Sequence, residues 1–450
     1  MKQAIINSRG ITTTKKPIRL TAFILVLLVA ACTSAQQKTS EDASQTFQSP
    51  IPIDLEVQPI LQKNYRPLIM VHYMPWYQTA RISGAWGWHW TMDHFNPNQK
   101  DENGKQSIAS HYYPLTGPYD SSDDDILEYQ VMLMRISGVD GVIVDWYGME
   151  DFWDYGTINK STHKIFEHVE KAGLLFAITY EDQTIKHMLE NGYSKVKDKH
   201  VYGQQVMKYL QENWFTKDAY LKTSERPVLF TFGNPSYFSS NSDWETLFSV
   251  LEVQPVLINE DRSVGPIATS SYPWPPMYLS RDDGEVSRSE LESYLNSSYR
   301  TVAGSDYVVA SAFPGFHDIY QEAGVGPGYG HLDFNDGETL EFTFQKALES
   351  NPDVIQVVTW NDYGEGTMVE PTLENGYKYL EIIQKIKKEG IDGKFPYTQK
   401  DLTLPIQIYQ LRKQYVGNPE VNAQLDDAVI AVLAERPDLA WKIIAQYPSQ

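Results

Sequence analysis

Eight short apolar runs, most of them separated by helical patterns, constrain this chain more than any other feature. They fall at 68–74, 140–146, 174–180, 227–232, 254–259, 266–271, 306–312 and 354–360. Each is continuous rather than alternating, as "GVIVDW" and "LLFAITY" show, which is the pattern of strands covered on both faces. Between them lie stretches of period near 3.6 at 123–137, 160–172, 203–213, 242–252, 288–300 and 337–350. Ile126, Leu127, Val131 and Met134 mark the first of these. Strand–helix alternation implies parallel pairing, and eight such units predict a closed (β/α)8 TIM barrel of the α/β class. The fifth-to-sixth connection is short, so seven or nine strands are alternatives, and a doubly wound sheet is the competing architecture.

Polar side chains stand at nearly every strand's carboxyl end: His72 and Tyr73, Asp145 and Trp146, Glu181 and Asp182, Asn259 and Glu260, Tyr272 and Trp274, His317 and Asp318, and Asn361 to Glu365. In a barrel these ends meet at one mouth, where active sites are built. The barrel is expected over 56–389. Residues 390–450 read as amphipathic helices without a chemical cluster, a small C-terminal helical appendage on the barrel exterior.

The first residues do not belong to that fold. Lys2, Arg9, Lys15, Lys16 and Arg19 precede the short apolar stretch "LTAFILVLLVAAC", the pattern of a secretory signal at 1–31. Cys32, the single cysteine of the chain, follows Val29-Ala30-Ala31 and resembles a bacterial lipoprotein box, so it is the expected lipidation site. Residues 32–55 are polar and read as a flexible tether. Loss of 1–31 removes five positive and no negative charges, taking the formal charge from −20 to −25. Such acidity disfavours nucleic acid as a partner and leaves the lipid as the anchor, in the bacterial cell envelope. With Cys32 used, no thiolate nucleophile or cysteine-based metal site remains.

The chemistry is expected after the eighth run, where "NDYGEG" sets Asp362 and Glu365 on one glycine-flanked loop. Glycoside hydrolysis needs two carboxyl groups flanking one bond. A lone pair of this spacing is common on surface loops, and Glu181 and Asp182 are rivals for the role. Phosphate loops, dinucleotide fingerprints and the nucleophile elbow are absent from the sequence, which argues against nucleotide and serine-hydrolase chemistry and gives no reason to expect a cofactor. His317 and Asp318 with His111 or Glu365 lack metal-ligand spacing, so no metal is expected. Aromatics make up 13% of residues, and flat rings serve both cores and sugar clefts. His72, Tyr73, Trp76 and Tyr77 either floor a subsite or pack the rim. Trp88, His89 and Trp90 of "WGWHW", with Asp145 and Trp146, are expected to contact substrate, while His111 and Tyr112 fit binding and packing equally.

Four stretches carry a resemblance. "HYMPWY", "SHYYPLTGPYDSSDDDILEYQVMLMRISGVDGVIVDWYG", "SAFPGFHD" and "VIQVVTWNDYGEGTMVEP" together are similar to glycoside hydrolase family 99, over roughly residues 68–385. That resemblance implies an endo-acting α-mannosidase or mannanase on a (β/α)8 barrel, working on oligo- or polysaccharide, here as a monomer. It implies retention through the substrate's own 2-hydroxyl: Asp362 deprotonates it to form an epoxide-like intermediate, and Glu365 protonates the leaving oxygen and then activates water. His72, Tyr73, Trp88, His89, Trp90, His111, Tyr112, Asp145, Trp146, Glu181, Trp274, Phe316, His317 and Asn361 are the expected substrate contacts. Two positions depart from the family: Asp362 stands where it has Glu, and Phe316 where it has Tyr. An α-glucan-cleaving barrel and a catalytically silent glycan-binding lipoprotein are the alternatives.

Overall fold

The computed structural model describes residues 55–447 other than 64, 234–235, 261–263 and 282–283. The leader, Cys32 and all of the tether but its last residue lie outside the described residues.

All eight apolar runs form parallel strands: β1 (Leu68–Tyr73), β2 (Gly141–Trp146), β3 (Leu175–Tyr180), β4 (Arg226–Thr231), β5 (Val256–Asn259), β6 (Ala268–Ser271), β7 (Val309–Ala312) and β8 (Val354–Val357). The hydrogen-bonded order is β6-β5-β4-β3-β2-β1-β8-β7. Neighbours in space are thus neighbours in sequence, save that β8 enters between β1 and β7, with Leu68 opposite Val354 and Val354 opposite Val309. A doubly wound sheet would reverse direction at its first strand. This one continues around into a barrel. Closure is incomplete in one respect: among the described residues no ladder joins β6 to β7, and a bulge at Leu257/Ile258 shifts the register just before that seam.

Strand β8 is shorter than its apolar run. It ends at Val357, because Thr359, Trp360 and Val369 exchange backbone hydrogen bonds with the returning chain: Thr359 N donates to Thr367 O, Val369 N to Thr359 O and Glu370 N to Trp360 O. The last apolar residues are held by their own loop and by the sheet together, with Val358 N donating to Ala312 O of β7 and Trp360 N to His72 O of β1.

The outer layer follows the helical periods, with α1 (Asp124–Ser137), α2 (Tyr155–Lys171), α3 (Lys199–Leu210), α4 (Asn241–Phe248), α5 (Arg288–Val302), α6 (Glu338–Glu349) and α7 (Lys378–Ile386). Local chemistry fixes their ends. Asp123 caps α1 by accepting from Asp125 N, and Ser287 with Glu290 forms a capping box on α5. Below the sheet, Lys387 and Asp140 form a fully buried ion pair at 2.7 Å, with Tyr65 donating to Asp140 at 2.6 Å. A buried pair adds little over an apolar contact, yet loses heavily if one partner goes, so it pins the strand starts to the segment after α7. Beyond lie α8 (Leu404–Gln414), α9 (Pro419–Leu433) and α10 (Pro437–Ile444). Arg412 of α8 forks onto Glu128 of α1 at 2.6 and 2.9 Å, which seats these helices against the outer layer.

Candidate active site

Strand alternation decides which polar residues reach the mouth, since adjacent side chains point to opposite faces. On β1, Tyr73 turns outward and donates to Gln130 of α1 at 2.7 Å, so its neighbour His72 points inward, edge-on to Trp274 at 5.1 Å. On β2, Trp146 turns outward, bonding Asn159 of α2 and stacking on Tyr209 of α3, which sends Asp145 inward. Tyr73 and Trp146 therefore pack the helix layer and do not line the cleft.

The loop after β8 carries the acids and is held from behind. Asn361, fully buried, accepts from Met74 N at 2.8 Å and donates to Met74 O and to the Tyr119 hydroxyl, both at 3.0 Å. It clamps the ends of β1 and β8 together, which is a positioning duty rather than substrate contact. Tyr77 adds a second clasp, donating to Asn361 O and accepting from Tyr363 N. Beneath, the buried Glu370 accepts from Tyr119, Tyr363 and Gln130 at 2.7–2.8 Å. Burial pushes its carboxyl up to about 7, against the pull of these donors. Within the loop Asp362 N donates to Thr359 Oγ1, and Asp362 Oδ1 accepts from Glu365 N at 2.9 Å, so the first acid fixes the backbone of the second. Gly366 completes the turn at φ +69, and a Cβ there would stand 2.4 Å from His317 O.

Around Asp362 and Glu365 the inward-facing acids gather. Glu365 is held well above the usual carboxylate range by burial, then by the charges of Asp362 and Asp318. Burial pushes Asp362 up to about 6, opposed by the Glu365 amide and the charge of His89. Asp145 keeps its proton far above the ordinary range through burial and the nearby Glu181, Asp362 and Glu365. Burial, with Asp182 adding to it, raises Glu181 to about 7. Like charges so close cannot all ionise together, and the cluster retains protons at neutral pH. His72 is driven down to about 3 by burial and stays a neutral imidazole.

Several polar atoms of this cluster have no hydrogen-bond partner in the protein: His72 Nδ1, Asp145 Oδ1, Trp274 Nε1 and Glu365 Oε2. The Trp274 indole faces Glu365 and favours its charged form, but outside hydrogen-bond geometry. Buried polar groups are rarely left unpaired, and four at one mouth suit a ligand rich in hydroxyls.

The remaining expected contacts divide. His89 belongs to the cluster, its ring stacked on Trp76 at 4.1 Å and its Nε2 3.4 Å from Asp154. Trp90 is fully buried, its indole donating to Tyr119 O, and Trp88 packs beside a small apolar group of Met92, Ala109 and Ile319. Phe316 is fully buried and pairs with Leu332 across a short hairpin. His111 and His317 stack at 3.9 Å with Tyr112 beside them, behind the loop, where His317 N donates to Glu365 O. Asp182 is spent on the amides of Tyr237 and Phe238. Sequence reasoning passed over Tyr320, whose hydroxyl lies 3.8 Å from where a Gly364 Cβ would stand and whose titration is raised by burial and then by Glu365 and Asp362. No motif surrounds it. Among the described residues no group of three or more His, Cys, Asp or Glu side chains is arranged to hold a metal.

Comparison with known proteins bears on this arrangement. The family model for glycosyl hydrolase family 99 matches residues 64–257. The mouse glycoprotein endo-alpha-1,2-mannosidase is 21% identical over 353 residues, covering 71% of this chain and 70% of its own. An ascus wall endo-1,3-alpha-glucanase of Schizosaccharomyces pombe is 32% identical over 83 residues, 18% of each chain. The solved GH99 endo-alpha-mannosidase of Bacteroides thetaiotaomicron superposes with a TM-score of 0.52 at 18% identity, over 71% of this chain and 97% of its own, and shares the barrel fold.

Proposed function

We propose that this chain, a glycoside hydrolase similar to family 99, cuts within α-mannan or a related α-linked glycan, using Asp362 and Glu365. One observation carries the reading: a buried Glu365, held above the ordinary carboxylate range, keeps one oxygen unpartnered while its backbone amide donates to the Asp362 carboxylate on the same short loop. Two carboxyl groups brought to one bond are what glycoside hydrolysis requires.

The chemistry proceeds in two halves. Asp362 takes the proton of the sugar 2-hydroxyl, O2 closes onto C1, the bond from C1 to the leaving oxygen breaks, and Glu365 gives that oxygen its proton. Glu365, now a carboxylate, takes a proton from water as the water oxygen attacks C1. The three-membered ring opens, and Asp362 returns its proton to O2. Two inversions at C1 give net retention. Asp145, protonated, and the neutral His72 are placed to hydrogen-bond hydroxyls of the ring.

The α-glucan alternative draws on the glucanase match and on Asp362, the shorter acid. Incubation with a panel of α-mannans and α-glucans, products sized by mass spectrometry, separates the two. Internal fragments of mannan are expected. Fragments from α-glucans alone would transfer the assignment, and no reducing ends from any substrate would leave a binding protein. We further propose that the enzyme is held at the cell envelope by lipid on Cys32, a reading supported by the basic and apolar pattern of residues 1–31. Cys32→Ser is expected to shift it from the membrane fraction to the soluble one, and a variant that stays membrane-bound would overturn the anchor.

A further inference from the structure

Trp153 is the most exposed tryptophan among the described residues, at 61%, and its backbone sits at φ +51. Both features are costly. A large ring in water forfeits burial, and a left-handed backbone strains any residue with a bulky side chain. Strain of this kind persists where the surroundings impose it, and it concentrates at ligand-binding positions. The residue lies on the loop from β2 to α2, on the carboxyl side of the strands and therefore beside the cleft.

A run of rings leads from it toward the acids. His89 stacks on Trp76 at 4.1 Å with 7° between planes. Trp76 lies 6.2 Å from Tyr147, Tyr147 5.3 Å from Tyr155, and Tyr155 5.9 Å from Trp153. The next residue in the chain, Asp154, reaches back to His89 at 3.4 Å, so the loop is tied to the site it borders. Phe152 at 4.5 Å, His187 at 5.8 Å and Tyr155 at 5.9 Å brace the Trp153 ring, and more than half of the residue still meets solvent.

We propose that Trp153 is an outer sugar platform, stacking on an outlying hexose ring of the chain whose scissile bond lies over Asp362 and Glu365. This rests on the glycan-cleaving reading. An enzyme that cuts inside a chain must grip sugars beyond the bond it breaks, and an indole offers a flat apolar face to the C–H side of a neutral pyranose. The strain is then the means by which that face is held outward before ligand arrives.

The test measures affinity by calorimetry for α-linked oligosaccharides of two to eight units, in a Glu365→Gln background that binds without cutting. Affinity is expected to step up once the chain is long enough to reach Trp153. Trp153→Ala removes the step, weakening the longer ligands by about tenfold, the size of one aromatic contact of roughly 1.4 kcal/mol, and leaving the shortest unaffected. Trp153→Phe restores most of it. Trp153→Gly, which relaxes the left-handed backbone, is expected to melt no lower than the parent while also losing the step. Equal affinities for parent and Trp153→Ala at every length, or an equal loss at every length, would overturn the platform alone. A parent that binds none of the series would remove the glycan reading and the platform with it.

Discussion

Glu365→Gln is expected to cut turnover of unactivated glycans by about 10³- to 10⁴-fold, the range general acids supply, while ligand affinity holds. The amide keeps the shape of the side chain but has no proton to give the leaving oxygen. The same substitution is expected to stabilise the protein in a pH-dependent way. Because the folded state raises Glu365 above its ordinary titration, folding takes up a proton between the ordinary and raised values. Stability attached to that group is complete below about pH 4 and is lost as pH climbs. Gln removes the penalty, so the variant should melt higher than the parent at pH 8 and alike at pH 4. A melting point lowered at pH 8, or full activity, would take Glu365 out of its role. In the parent, kcat/KM should rise through about pH 6 as Asp362 ionises and fall again as the cluster gives up the proton held for catalysis.

Asp362 holds its loop and, in the proposed reaction, serves as the base, and two substitutions separate these roles. Its Oδ1 accepts from Glu365 N, a contact that an amide oxygen reproduces. Asp362→Asn therefore preserves the loop while removing the base, and a loss of about 10²- to 10⁴-fold in kcat is expected with an unchanged melting point. Asp362→Glu keeps a carboxylate but carries it roughly 1.5 Å further, past the Glu365 amide. The acid is then present on a looser loop, and the loss should be intermediate, near tenfold to a hundredfold. Should Asp362→Asn remain fully active, the residue is a turn former and the base must be sought among Asp145 and Glu181.

The barrel was legible because most strands are continuous apolar runs, the pattern of a sheet covered on both faces, while β6 with its Ala-Thr-Ser-Ser alternates buried and half-buried residues. The acids were legible because they follow the last run. Less was readable about the aromatic and amide neighbours. "HY" and "DW" each place two candidates side by side, and the alternation of a strand lets only one of each face inward. His72 and Asp145 did, and Tyr73 and Trp146 did not. Nothing within those dipeptides says which. That is decided by partners far away in sequence, Gln130 for Tyr73 and Asn159 for Trp146. Asn361 beside Asp362 read as a substrate contact, yet its amide is consumed by Met74, 287 residues earlier. Tyr320 carried no recognisable pattern, and Glu370, though inside the last of the quoted stretches, gave no sign of its role, since a buried carboxylate bonded by two tyrosines is a fact of folding rather than of spacing.

Strand β8 slots between the first strand and the seventh, and Asn361 locks it to Met74. A nascent chain that has emerged only as far as residue 350 holds seven of the eight strands and neither acid of the pair. If Asp362 and Glu365 do the proposed chemistry, hydrolytic power arrives late during synthesis, and all at once, when the final strand closes the gap. A ribosome stalled before that point exposes an incomplete, inert molecule rather than a feeble enzyme.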